Sequence, residues 1–210
     1  MGQVISFAQQ KGGAGKTTVL IHLAEAWRRA GRSVALVDLD PQRSLASWAE
    51  AASEKRFEVI ESAGWRGGGD VRTAGRHHDM TLVDCPGNAS SLLEAALRES
   101  QLVLVPCQPT GPDVWATGAI LKMAKSERVP ARILLNRVPP RGGSIAEAVI
   151  ALKSTGAEIL TTRIGNRVAF SSGLIAGKTA YDLGRRSTAV SEVDALAAEL
   201  DTLLGTSAET

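Results

Sequence analysis

Short β-branched and aliphatic runs alternate along the chain with longer stretches whose apolar residues recur every three or four positions. That alternation predicts an α/β protein: a mostly parallel, twisted sheet flanked by helices on both faces. Residues 3–8 (QVISFA) read as a first strand. Residues 16–30 read as a helix with Leu20, Leu23, Ala24 and Trp27 on one side, and Gly31 follows where helices commonly end. Residues 33–38 (SVALVD) are nearly all apolar, as a strand covered on both faces should be. Residues 43–54 suit a helix and 57–60 a short strand. Further strands are expected at 80–84, 102–106 and 131–136, with helices near 89–98 and 112–126. A last helix, about 188–204, would line up Val193, Leu196, Ala197, Leu200 and Leu203. Residues 64–78 (GWRGGGDVRTAGRHH) combine many glycines with few apolar positions and read as a flexible surface segment.

No internal repeat or linker-like stretch divides the chain, so residues 1–204 are expected to form one domain, with 205–210 a frayed tail. A chain of 210 residues, 44% hydrophobic and 22% charged, has enough core to fold without a disulfide or metal staple. No apolar run approaches the ~18 residues of a membrane span, and the start of the chain lacks a signal-peptide pattern. Cys85 and Cys107 are too few for a disulfide scaffold and read as buried thiols. These features point to a cytoplasmic protein. The net charge of +2 is unevenly spread. Residues 128–186 hold ten Lys or Arg against three acids, a balance of +7, which leaves −5 elsewhere. Such asymmetry points to a polyanionic partner or to a solvated basic face.

The densest chemistry lies between the first strand and the first helix, in Lys11-Gly12-Gly13-Ala14-Gly15-Lys16-Thr17-Thr18. Glycines let consecutive N–H groups converge on an anion, and the helix beginning at Lys16 adds its positive end. Lys16 suits β/γ phosphates and the Thr17 hydroxyl suits Mg²⁺. A strict phosphate-loop pattern would need Gly where Gln10 stands, so this is a variant loop. Asp38 and Asp40 follow the second strand in DLDPQ, and Asp84 ends the apolar run MTLVD. Carboxylates at the carboxyl ends of parallel strands face the crevice where such sheets bind ligands. His77 and His78 have no third ligand at metal spacing and read as solvated. Trp27, Trp48, Trp65 and Trp115 read as core or interface residues.

The KGGAGKTT loop, DLDPQ and VDCPG (residues 83–87) resemble the deviant Walker ATPases of the ParA/MinD group, and most of all the small ParF-like partition ATPases. The likeness runs from residue 3 to about residue 200. It implies a P-loop NTPase fold, ATP/ADP and Mg²⁺ as cofactors, and slow ATP hydrolysis. Lys11 matches the lysine that reaches the nucleotide of a second subunit in an ATP-dependent homodimer. Gly12, Gly13, Ala14, Gly15, Lys16, Thr17 and Thr18 match the phosphate cradle. Asp40 matches the carboxylate needed for hydrolysis, with Asp38 supporting it. Thr17, Asp84 and Asp40 match the metal side of the site. Residues 106–113 (PCQPTGPD) resemble the segment that borders nucleotide and dimer interface. Asn136, followed by Arg137, falls where the family contacts adenine, and residues 162–177 resemble its late helix and loop near the base.

Two departures stand out: Gln9 where relatives often carry Asn, and Cys85 where they often carry Thr. The resemblance further implies non-specific DNA binding by the ATP dimer, a nucleoid-associated location, and a ParB-like partner that stimulates hydrolysis to position a plasmid, chromosome or large assembly. Arg163, Arg167, Lys178, Arg185 and Arg186 are the DNA candidates, with Arg141 in reserve. A MinD-like membrane cycle would need a basic amphipathic C-terminal helix, whereas residues 199–210 (ELDTLLGTSAET) are acidic and polar. An iron–sulfur carrier would need exposed cysteines, and a metabolic ligase would need substrate-binding insertions.

Overall fold

The computed structural model describes residues 2–88, 90–141, 144–184 and 187–205. Among these, seven parallel strands form one sheet: β1 (Gln3–Phe7), β2 (Val34–Asp38), β3 (Glu58–Glu61), β4 (Met80–Asp84), β5 (Leu102–Cys107), β6 (Ala131–Val138) and β7 (Ile159–Gly165). Their order is β3-β2-β4-β1-β5-β6-β7. The helices are α1 (Lys16–Arg29), α2 (Ser44–Ala51), α3 (Gly67–His77), α4 (Ser91–Arg98), α5 (Gly111–Ser126), α6 (Ser144–Ser154), α7 (Ala180–Leu183) and α8 (Thr188–Leu204).

Side chains alternate across the sheet with a period of two, and both sides are apolar. Ile5, Phe7, Leu36, Leu82, Leu104 and Leu134 point toward the layer of α1, α2 and α8. Val4, Val37, Val83, Val103, Val105 and Ile133 point toward α3–α6. Burial on both faces is why these strands read as continuous aliphatic runs rather than alternating ones. The register sets Phe7 opposite Asp84 and Asp84 opposite Asp38, so three strands end level at the carboxyl edge. That edge, where the order switches around β1, is the crevice of the fold.

The 64–78 segment is a correction. It folds as a short 3₁₀ turn (Gly64–Arg66) followed by α3, with Val71 and Ala74 buried. Its glycines serve close packing. A Cβ on Gly67 would lie 2.2 Å from Leu92 Cδ1, and one on Gly75 would lie 2.8 Å from Val4 Cγ2. The helix α6 and the strand β7 lie outside the expected elements. The burial of β7 alternates irregularly because it is an edge strand carrying Thr161, Thr162 and Arg163. Residues 162–177 therefore finish a strand and then make two 3₁₀ turns, rather than a helix. Leu203 is 44% exposed, off the buried face of α8. Of the expected tail, Gly205 is the left-handed cap of α8, and 206–210 lie outside the described residues.

A polar seam ties α1 to the chain around α7. The Glu25 carboxylate, fully buried, accepts from Arg28 and Arg29, and Arg56 pairs with Asp182 at 3.0 Å. His22, also buried, donates from Nδ1 to the Thr18 carbonyl and accepts the Ala180 N–H at Nε2. Burial pushes its pKa down, which keeps the ring neutral in this role.

The packing role of the α3 glycines is testable by chemical denaturation. Gly67→Leu and Gly75→Leu should each lose about 1–3 kcal/mol through overpacking. Gly69→Ala, with nothing within 4 Å of its added Cβ, should gain about 0.5–1 kcal/mol.

Candidate active site

The loop between β1 and α1 needs two left-handed residues, and glycine supplies both: Gly13 at φ 78° and Gly15 at φ 93°. This conformation turns successive carbonyls away from the crevice and N–H groups toward it. The outward carbonyls are each captured by a side-chain amide. Asn136 Nδ2 donates to the Ala14 carbonyl at 2.7 Å, and Gln108 Nε2 donates to the Gly13 carbonyl at 3.0 Å. Gly15 is doubly required, because a Cβ there would lie 2.4 Å from Asn136 Nδ2.

Both ends of the Asn136 amide are used, since its Oδ1 accepts the Arg137 N–H at 2.9 Å. Asn136, expected to meet adenine, thus also clamps the loop. Arg137 stands exposed in the left-handed region at φ 50°, an uncommon state for a non-glycine residue. It and Thr18 border both an open cavity of about 680 Å³ over the loop and a second of about 230 Å³ beside β7. The larger cavity is walled by the loop, Asp40, Trp48 and Ile175.

The three aspartates divide their tasks. Asp84 is fully buried; the Thr17 hydroxyl donates to its Oδ2 at 2.6 Å, while its Oδ1 has no hydrogen-bond partner. Burial pushes the Asp84 carboxyl up to about 7, against the pull of Thr17 and Lys16. Asp38 stays out of the cavity. Its two oxygens accept the backbone N–H groups of Asp40 and Ala46, pinning the turn between β2 and α2. Burial raises its pKa as well. Asp40 borders the cavity with Oδ2 at 3.9 Å from Lys16 Nζ. A buried carboxylate oxygen lacking a donor, beside a threonine hydroxyl and a phosphate cradle, fits a hard divalent ion of the Mg²⁺ kind. Among the described residues, no group of three or more His, Cys, Asp or Glu could hold a metal, so such an ion would draw on phosphate and water oxygens.

Lys11 forms an ion pair with Asp113 at 2.8 Å within the same chain. Gln108 and Asp113, which touch the loop from the 106–113 segment, carry roles that residue type alone did not signal. Gln9 is buried, donating to the Pro106 carbonyl and accepting the Gln10 N–H. Cys85 and Cys107 are buried, and burial pushes their thiols up to about 12 and about 11, far from the thiolates a cluster needs.

The DNA candidates part ways. Arg163 and Lys178 are exposed and have no ion pair among the described residues. Arg167 is held by Glu192 at 2.6 Å, which uses its charge locally. Arg141 is exposed, while Arg185 and Arg186 lie outside the described residues. Trp27 and Trp48 are core residues; Trp65 and Trp115 are 93% and 79% exposed. No helix among the described residues is long and apolar enough to cross a membrane.

Comparison with known proteins agrees with this geometry. The CobQ/CobB/MinD/ParA nucleotide binding domain model matches residues 5–180. Maintenance of carboxysome distribution protein A of Halothiobacillus neapolitanus is 28% identical over 197 residues, covering 90% of this chain and 91% of that protein. Protein ParA of Rhizobium radiobacter is 26% identical over 215 residues, covering 92% and 94%. The septum site-determining protein MinD of Pyrococcus horikoshii, solved with Mg-ADP, superposes over 100% of both chains with a TM-score of 0.76 at 20% identity.

The raised Asp84 pKa has a signed consequence for the metal-free, nucleotide-free protein. Folded Asp84 keeps its proton to about pH 7, whereas an unfolded aspartate gives it up near 3.8. The folded state binds more protons in that window, so this group's contribution to stability falls as pH rises through it. Asp84→Asn should therefore stabilise the apo protein by roughly 2–4 kcal/mol above pH 7. The gain should vanish near pH 4, as read from thermal melts across pH.

Proposed function

The chain belongs to the CobQ/CobB/MinD/ParA nucleotide-binding family, and on that footing we propose that it is a slow, Mg²⁺-dependent ATPase that dimerises on ATP and positions a cargo over DNA. Its relatives by sequence include ParA and a carboxysome-distribution protein, and ATP or ADP with Mg²⁺ is the cofactor set of the fold. The observation that carries the reading is the cradle itself: a glycine loop with two carbonyls clamped by side-chain amides, and a buried Asp84 that holds Thr17 with one oxygen and has no partner on the other.

Phosphoryl transfer to water requires charge on the β/γ oxygens and an attacking water held in line. The loop amides and Lys16 would bind and neutralise those oxygens. Thr17 and Asp84 would hold Mg²⁺, which when bound draws charge from the phosphate oxygens. Asp40, at the cavity wall beside Lys16, would orient the water, and Asp38 fixes the turn that carries Asp40. Arg137, bordering both cavities, would lie along the nucleotide between its phosphates and its base. Lys11 would reach the nucleotide of a second copy, so that dimerisation completes each site.

Basic residues of the C-terminal third would then hold DNA without sequence preference, through phosphate contacts. Arg163 and Lys178 are favoured because neither pairs with an acid among the described residues. A ParB-like adaptor on the cargo would stimulate hydrolysis and release the dimer.

Sedimentation with Mg²⁺ and a non-hydrolysable ATP analogue should give a dimer where ADP gives a monomer. Lys16→Ala should abolish both dimerisation and hydrolysis. A wild-type chain that stays monomeric with saturating analogue would overturn the dimer reading. For DNA, Arg163→Glu with Lys178→Glu should weaken binding to arbitrary duplex and reduce the log–log salt slope by about 2. An unchanged slope would remove these two residues from the DNA face.

A further inference from the structure

The Lys11 ammonium does not project freely from the loop. It lies 2.8 Å from Asp113 Oδ2, and the two differ sharply in environment: the Lys11 side chain is 39% exposed and that of Asp113 is fully buried. Asp113 sits in the first turn of α5. There the Thr110 hydroxyl donates to the same Oδ2 at 2.6 Å, and Thr110 caps the helix. The other oxygen, Oδ1, is buried with no hydrogen-bond partner. Among the described residues, Lys11 is the one cation within ion-pair distance of this carboxylate.

A buried carboxylate that loses its only cation is left uncompensated, a far larger penalty than breaking an ion pair in solvent. The turn from Gln108 to Asp113 therefore governs two features of the loop together. Gln108 clamps the Gly13 carbonyl, and Asp113 holds the lysine that precedes the left-handed turn.

We propose that Asp113 is a positioning residue that holds Lys11 in its own chain and so opposes the reach of Lys11 into a second copy. This rests on the dimer reading above. In the resting protein the lysine is stored against α5, and ATP-driven dimerisation has to draw it away. The clasp raises the nucleotide concentration at which two chains close on each other, which keeps the ADP-bound and empty protein monomeric.

Asp113→Asn keeps the size of the side chain and an oxygen for the Thr110 hydroxyl, and removes the charge. In sedimentation titrations with Mg²⁺ and a non-hydrolysable ATP analogue, this variant should reach half-dimerisation at about tenfold lower analogue concentration than wild type. Lys11→Ala should not dimerise, and the double variant should behave as Lys11→Ala does, because the gain acts through the lysine. A structural lesion at the start of α5 would move the titration the other way. A folded Asp113→Asn that binds ADP normally, yet dimerises at the same or higher concentration, overturns the proposal while leaving the dimer reading intact. A wild type that never dimerises removes both.

Should Asp113→Asn fail to fold, the wild-type chain still decides. Lys11 should be acylated by an amine-reactive ester several-fold more slowly than the exposed Lys55, Lys122 and Lys178, read by peptide mass spectrometry with ADP bound. Equal rates overturn the clasp.

Discussion

Backbone carbonyls that must face away from a phosphate site are the constraint on which this architecture turns. For the N–H groups of residues 12–16 to converge on an anion, the carbonyls of Gly13 and Ala14 have to point outward. The Ala14 carbonyl, buried, then needs a donor, and the Gly13 carbonyl, on the exposed rim, takes one from the protein as well. Gln108 and Asn136 provide those donors from the ends of β5 and β6, on the same flank of the loop. The requirement runs both ways. Asn136 can reach Ala14 because Gly15 has no Cβ, and Arg137 adopts its left-handed backbone while its N–H caps the Asn136 oxygen.

Around that loop the charges are arranged by burial. Asp84, at the level where three strands end, is starved of donors and lifted toward neutrality, a state that a divalent ion or the approach of Lys16 would reverse. Asp38, one register step across, spends both oxygens on backbone N–H groups and so acts as a rivet for the turn bearing Asp40. Two aspartates two residues apart therefore do different work because one faces the core and the other the crevice.

The cavity is closed on its far side by a segment the sheet alone would not place there. Leu174 and Ile175 reach the phosphate cavity from turns held by Gly173 and Gly177, and the chain after them is pinned to α1 by His22, Arg56 and the buried Glu25. A Cβ on Gly177 would lie 2.2 Å from Ala52 Cα, so the approach of this segment to α2 depends on the absence of a side chain. The same C-terminal third carries Arg163 and Lys178, exposed and without an ion pair among the described residues.

Strong local patterns determined much of this from the sequence alone. β4 falls where its aliphatic run begins and ends, the other inner strands lie within a residue or two of their runs, and α1 follows from its apolar spacing and the loop before it. The loop lysines, Thr17 and the strand-end aspartates were legible because their chemistry depends on residue type and position next to a strand. Tertiary structure decided what depended on a neighbour distant in the chain. The glycines of 67–75 look flexible until Leu92 and Val4 press against them. The edge strand β7 lacks the double burial that would mark it, and nothing local to Asn136 signals the Ala14 carbonyl, 122 residues away, that its amide holds. Lys11 shows the same division: its charge is written in the sequence, but its pairing with a buried carboxylate 102 residues away exists only once β1 and β5 lie side by side.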